Sequence, residues 1–97
     1  MRVIAYRVLR EFAKAGHADA EASLLVWYKV VSKAEWSSFA EVRATFPSVD
    51  QVGNRLVFNI GGNKYRVIAV IDYIGHGVMI RFVGTHAEYD RVDPRSV

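Results

Sequence analysis

The sequence predicts an α+β domain in which a short N-terminal strand and a group of helices pack on one face of an antiparallel β-sheet meander. Three observations carry that expectation. Apolar residues recur at helical spacing as far as Phe46 and alternate with a period of two after Pro47. Gly61-Gly62 and Gly75-His76-Gly77 mark chain reversals in the second half. No repeat, low-complexity run or linker-like stretch interrupts the 97 residues, so one domain is expected over 1–97. At this size roughly two-thirds of the unfolded surface can be buried, which suffices for one core but not for a separate cofactor domain.

Residues 1–5 open with the β-branched pair Val3 and Ile4 and read as a short strand. Tyr6, then Leu9 or Val8, then Phe12 or Ala13 fall at helical spacing, giving a first helix over 6–14 that Gly16 stops. Ala20, Leu24, Trp27 and Val31 form the stripe of a second helix over 18–31, with Asp19 and Glu21 in an opening turn where the helix dipole favours acids. Ser32 and Glu35 have the spacing of a capping box, and Trp36, Phe39, Ala40, Val42 and Phe46 continue as a third helix closed by Pro47. The two tryptophans read as core anchors. Residues 55–60, 64–73 and 78–85 read as three strands, with Gly61-Gly62 as a two-residue hairpin loop.

That loop pairs Ile60 with Asn63, Phe58 with Tyr65 and Leu56 with Val67, on a face shared with Ala69 and Ile71. With a turn at Gly75-His76, Val78, Ile80 and Phe82 join this apolar face, which the helices are expected to cover. The opposite, uncovered face receives Arg55, Asn59, Lys64, Arg66, Arg81 and Thr85 among Val57, Ile68, Val70 and Val83.

Composition narrows the function classes. The absence of cysteine excludes disulfide scaffolds and thiolate metal sites and suits a reducing, cytoplasmic compartment. The apolar runs are shorter than the ~20 residues a membrane span needs, and the N-terminus lacks a signal-peptide pattern. The charge is +3, and nine of the 13 basic residues are arginine, whose fork holds phosphate while staying charged. Lys64, Arg66 and Arg81 are therefore candidates for a phosphate-binding cluster, with Asn59 and Arg55 as further RNA contacts. After the last strand, His86, Glu88 and Tyr89 bring an imidazole, a carboxylate and a phenol to the sheet edge beside Arg66. Arginine, histidine and tyrosine together suit a metal-free ribonuclease site. His17, His76 and His86 show no ligand spacing, so no metal or other cofactor is expected. His76 reads as a turn residue, Asp50 and Asp72 as loop or strand-end residues, and Lys29, Lys33 and Arg43 as a solvated helical face open to ribosome or antitoxin contact.

The segments Phe58-Asn59-Ile60-Gly61-Gly62-Asn63-Lys64-Tyr65-Arg66-Val67 and Arg81-Phe82-Val83-Gly84-Thr85-His86-Ala87-Glu88-Tyr89-Asp90, with the joint Thr45-Phe46-Pro47-Ser48-Val49-Asp50, resemble the HigB-type toxins of the RelE superfamily. The resemblance runs from about the second helix to Asp90. It implies a RelE-like fold and an mRNA interferase of a type II toxin-antitoxin pair, cutting messenger RNA on the ribosome and silenced by a helix-turn-helix antitoxin. Arg66 matches the superfamily arginine that holds the scissile phosphate, and His86 and Tyr89 match the residues closing the last strand. The expected reaction is attack of the 2′-hydroxyl on the adjacent phosphate, with Arg66 and Arg81 stabilising charge, His86 moving a proton and Tyr89 orienting a base or the leaving group. The general base is left open between His86 and Lys64, since no extra carboxylate is evident on the active face unless Glu88 or Asp90 turns inward. Two other readings fit the basic face: a non-catalytic RNA- or ribosome-binding module, and a degenerate toxin that retains antitoxin binding.

Overall fold

A computed structural model describes residues 1–97. In chain order it contains β1 (Arg2–Ile4), α1 (Tyr6–Lys14), α2 (Ala20–Lys33), α3 (Phe39–Thr45), β2 (Asp50–Val52), β3 (Arg55–Ile60), β4 (Tyr65–Asp72), β5 (Gly77–Thr85) and α4 (His86–Tyr89). The five strands form one sheet in the order β1-β5-β4-β3-β2. The run from β2 to β5 is the expected antiparallel meander, and β1 adds a parallel edge against β5. No helix is long and apolar enough to cross a membrane.

The predicted helical stripe is the core. Ala20, Leu24, Trp27 and Val31 of α2 are buried against Leu56, Phe58, Ile60, Val67 and Ala69 of the sheet, and Leu9 joins them from α1. Trp27 and Phe46 each meet Phe58 edge-on, with ring centroids 5.3 Å apart. Both tryptophans are buried, as expected of anchors.

Several local expectations are corrected. The capping box is not at Ser32 and Glu35, because α2 continues through Lys33 and α3 starts at Phe39. Ser38 and Glu41 have the same spacing, and there the Glu41 carboxylate accepts the Ser37 N–H at 3.0 Å. β2 has no signal of its own in the sequence: three residues, two of them polar, are too short to show a period.

The β3–β4 loop is residues 61–64 rather than a glycine pair, so Ile60 pairs with Tyr65, Phe58 with Val67 and Leu56 with Ala69. The slip is two residues, so the paired side chains of β3 and β4 keep their predicted faces, while Asn63 and Lys64 fall in the loop and exchange theirs. At β5 the outcome is different. A bulge follows Ile80, which pairs with Ala69, whereas Phe82 pairs with Ile68 and Val83 with Val67. Phe82 therefore leaves the helix-covered face to which the regular alternation assigned it, and Val83 takes its place against the core.

The second sheet face is partly covered as well. Val57 and Ile68 lie on it, outside the main cluster, yet are 4% and 0% exposed. Residues 91–97 return across this face. The Val97 main-chain oxygen accepts from Arg55 Nε and Nη2 at 2.9 and 2.6 Å and from Arg81 Nε at 3.2 Å. Val92, Pro94 and Val97 are half-buried along the way.

Candidate active site

Beyond the C-terminal crossing, the same sheet face keeps an open cavity of about 430 Å³, walled by Arg43, Ser48, Asp50, Val57, Asn59, Arg66 and Tyr89 among others. Strand pairing builds its floor. Asn59 on β3 stands directly across from Arg66 on β4, and Arg66 in turn from Gly84 on β5. A side chain at Gly84 would have no room: an added Cβ would lie 2.6 Å from the Phe82 ring and 3.2 Å from Glu88 Cβ. The missing side chain lets Phe82 and α4 close over this end of the sheet.

Arg66 is half-buried and held from two sides. Its Nη1 donates to Asn63 Oδ1 at 2.7 Å, and its guanidinium carbon lies 5.6 Å from the centre of the Tyr89 ring. Stacking on an aromatic face leaves the planar fork oriented rather than free. Tyr89 is placed by α4, a single turn with a complete capping box. Thr85 Oγ1 accepts the Glu88 N–H at 3.1 Å, and the Glu88 carboxylate accepts the Thr85 N–H at 2.8 Å. The backbone hydrogen bond from Thr85 holds the Glu88 carboxyl below the usual carboxylate range. Glu88 is thus committed to the cap.

The other predicted site residues divide into separate groups. His86 begins α4, three residues before Tyr89, and its Nδ1 lies 3.2 Å from Asp90 Oδ2. It is not part of the cavity wall, although the i, i+3 spacing puts it on the same side of the turn as Tyr89. Lys64 turns to the helix-covered side, where its ammonium lies 3.3 Å from Asp19 Oδ2. The Tyr65 hydroxyl donates to the other Asp19 oxygen. The two hydrogen bonds, Tyr65 first and Lys64 second, lower the Asp19 carboxyl, and the same bond to Asp19 raises the Tyr65 phenol. Arg81 is on the predicted face but at its far end, joined with Arg55 on Val97 instead of with Arg66.

Sequence reasoning passed over Arg43, Ser48 and Asp50. In the sequence Arg43 reads as part of a solvated helical face and Asp50 as a loop or strand-end residue, the latter met by its place at the start of β2, but a site assembled from the end of α3 and the start of β2 leaves no periodic trace. The one pointer was the joint at residues 45–50, which belongs to the resembling pattern. No group of three or more metal-ligating side chains gathers anywhere in the molecule.

Residues 20–92 match a protein family described as the RelE-like toxic component of a toxin-antitoxin system, the HigB toxin family. The chain is 33% identical over 95 residues to an mRNA interferase HigB of Escherichia coli O6:H1, covering 95% of this chain and 91% of that protein. It is 30% identical over 93 residues to the mRNA interferase toxin HigB of Escherichia coli K12, covering 93% of this chain and 88% of the relative. An mRNA interferase HigB of Shigella flexneri matches to the same extent.

Proposed function

The chain belongs to the HigB family of RelE-like toxins, and on that premise we propose that its Arg66–Tyr89 cavity is where RNA is cut. The protein is the toxin of a toxin-antitoxin pair and an endoribonuclease acting on messenger RNA. The observation that carries the site is the Arg66 guanidinium stacked on Tyr89, directly across from Asn59 and with Arg43 on the same wall. Two arginines, an amide and a phenol around one cavity suit a single-stranded phosphodiester, with the fork on phosphate oxygens and the ring available to a base.

In the reaction the RNA 2′-hydroxyl attacks the adjacent phosphorus, leaving a 2′,3′-cyclic phosphate and a 5′-hydroxyl, without a metal ion. Arg66 stabilises the charge that grows on the phosphate oxygens. His86, at the start of α4 three residues before Tyr89, moves a proton to the leaving 5′-oxygen. Tyr89 orients the base or the leaving group. Arg55 and Arg81 extend a basic track at the far end of the face instead of joining the reacting phosphate. Lys64, held by Asp19, positions the hairpin that carries Asn63 and Arg66. The whole chain, 1–97, acts as one toxin domain in the cytoplasm, on ribosome-bound messages, and its silencing partner is a helix-turn-helix antitoxin.

Induced expression with growth followed and mRNA 5′ ends mapped tests this reading. Wild type should arrest growth and create new 5′ ends, Arg66→Ala should do neither, and co-expression of the neighbouring antitoxin gene should restore growth. On RNA free of ribosomes, whose own assembly needs Mg²⁺, purified protein should cut equally with and without EDTA. New ends of equal abundance in wild type and Arg66→Ala would refute the site, and growth arrest without new ends would refute the nuclease.

A further inference from the structure

The cavity that Arg66 and Tyr89 wall also contains a carboxylate. Asp50 opens β2 and pairs with Val57, so its side chain shares a sheet face with Asn59 and Arg66 and lines the same space. β2 and β4 are two strand spacings apart, about 10 Å. Asp50 forms no ion pair with Arg66 or with Arg43. A carboxylate and a guanidinium held apart in this way leave room for a phosphodiester and its ribose between them. The carboxylate is also oriented: Oδ1 accepts the Gln51 N–H at 2.9 Å, which leaves Oδ2 for a ligand.

The remaining wall offers no alternative acceptor of a proton. Guanidinium groups stay charged, Asn59 and Ser48 are poor bases, and a phenol near neutrality donates. Lys64 faces Asp19 on the other side of the sheet, and His86, whose Nδ1 lies 3.2 Å from Asp90, is committed to the leaving 5′-oxygen.

Resting on the nuclease reading above, we propose that Asp50 is the general base of the cleavage. Asp50 Oδ2 takes the 2′-hydroxyl proton while the 2′-oxygen forms its bond to phosphorus. The bond from phosphorus to the 5′-oxygen breaks, its electron pair stays on that oxygen, and the oxygen takes a proton from His86. The carboxylic acid and the neutral imidazole so formed return to their starting states by exchange with water.

The test uses the full chain with ribosomes and a message under single-turnover conditions, and measures binding with an RNA carrying 2′-deoxyribose at the cut nucleotide. Asp50→Asn should cleave about 100- to 10,000-fold more slowly, the range a positioned acid or base contributes. It should bind the deoxy-substituted RNA as well as wild type or better, because a negative charge beside phosphate is gone. Asp50→Glu should recover part of the rate. A 5′-thio leaving group, which departs without a proton, should rescue His86→Ala but not Asp50→Asn. Wild-type rates in Asp50→Asn, binding lost in step with rate, or rescue of Asp50→Asn by the thio substrate would each overturn the assignment. Asp50 is exposed at a strand end, so Asp50→Asn and Asp50→Ser should melt with wild type; unfolding of both would make it a structural residue and overturn it too. If Arg66→Ala loses cleavage while Asp50→Asn keeps it, the nuclease reading stands and the base is wrong. If both keep it, the reading itself fails.

Discussion

Replacing Arg66 separates the contribution of charge from that of geometry. In Arg66→Ala the substrate phosphate loses a preoriented donor set, and removing one such donor from a developing charge costs about 100- to 1,000-fold in rate, or ~2.7–4 kcal/mol. The fold should lose far less. Arg66 contacts the Tyr89 ring at 5.6 Å and an exposed Asn63, and a cation over a ring at such a site is worth about 0.5–1 kcal/mol. RNA affinity should also become less sensitive to salt, the slope falling by about 0.7 for one phosphate contact on a single strand. Arg66→Lys supplies the contrast, since it keeps the charge and the salt slope but loses the bidentate fork and most of the rate. Cleavage rates, a salt titration of binding and a thermal melt on the three proteins decide the matter. A salt slope unchanged in Arg66→Ala, or full activity in Arg66→Lys, would refute the argument that an oriented fork on phosphate drives the reaction.

Other outcomes follow from neighbouring groups. Tyr89→Phe should keep RNA affinity if the ring stacks on a base, while Tyr89→Ala should lose it and loosen Arg66; equal binding by all three proteins in a titration would exclude stacking. Because the hydrogen bonds from Tyr65 and then Lys64 hold the folded-state Asp19 carboxyl below its ordinary value, they add stability above the ordinary carboxylate range that disappears as pH falls through the lowered folded pKa. Acid unfolding followed by circular dichroism should therefore be less steep in Asp19→Asn, and an unchanged acid limb would count against the cluster. Gly84→Ala places a Cβ 2.6 Å from the Phe82 ring, and overpacking of this kind costs about 1–3 kcal/mol. A melting temperature equal to wild type would mean that Phe82 yields freely.

The helices and the core were legible because their signals are redundant. The stripe from Ala20 to Val31 repeats over four positions, and the face assignment of β3 and β4 survives a loop longer than expected because the slip is even. The bulge near Arg81 was not legible: an added residue in Ile80-Arg81-Phe82-Val83 breaks no composition rule, yet it exchanges the faces of Phe82 and Val83. Arg66, Tyr89 and Asn59 lie together, as strand alternation and the segment after β5 imply. Arg81 and Lys64 were misjoined to them because alternation fixes a face but says nothing of position along it or of competing partners such as Val97 and Asp19. Arg43 and Asp50 come from elements whose meeting is set by packing far from either in the chain.

Lys64 ties together three parts of the molecule. Its side chain reaches Asp19 before the start of α2, its carbonyl accepts the His86 N–H at 3.0 Å, and its own position ends the β3–β4 loop. These contacts join the hairpin tip, α4 and the segment leading into α2, and their amides are expected to exchange with solvent hydrogen through a shared local unfolding. Tyr89 and Asn63, the two supports of Arg66, belong to that unit. The Lys64–Asp19 pair on the opposite side of the sheet is exposed and contributes little by itself, so its loss should raise amide exchange at both supports of Arg66 together and only modestly.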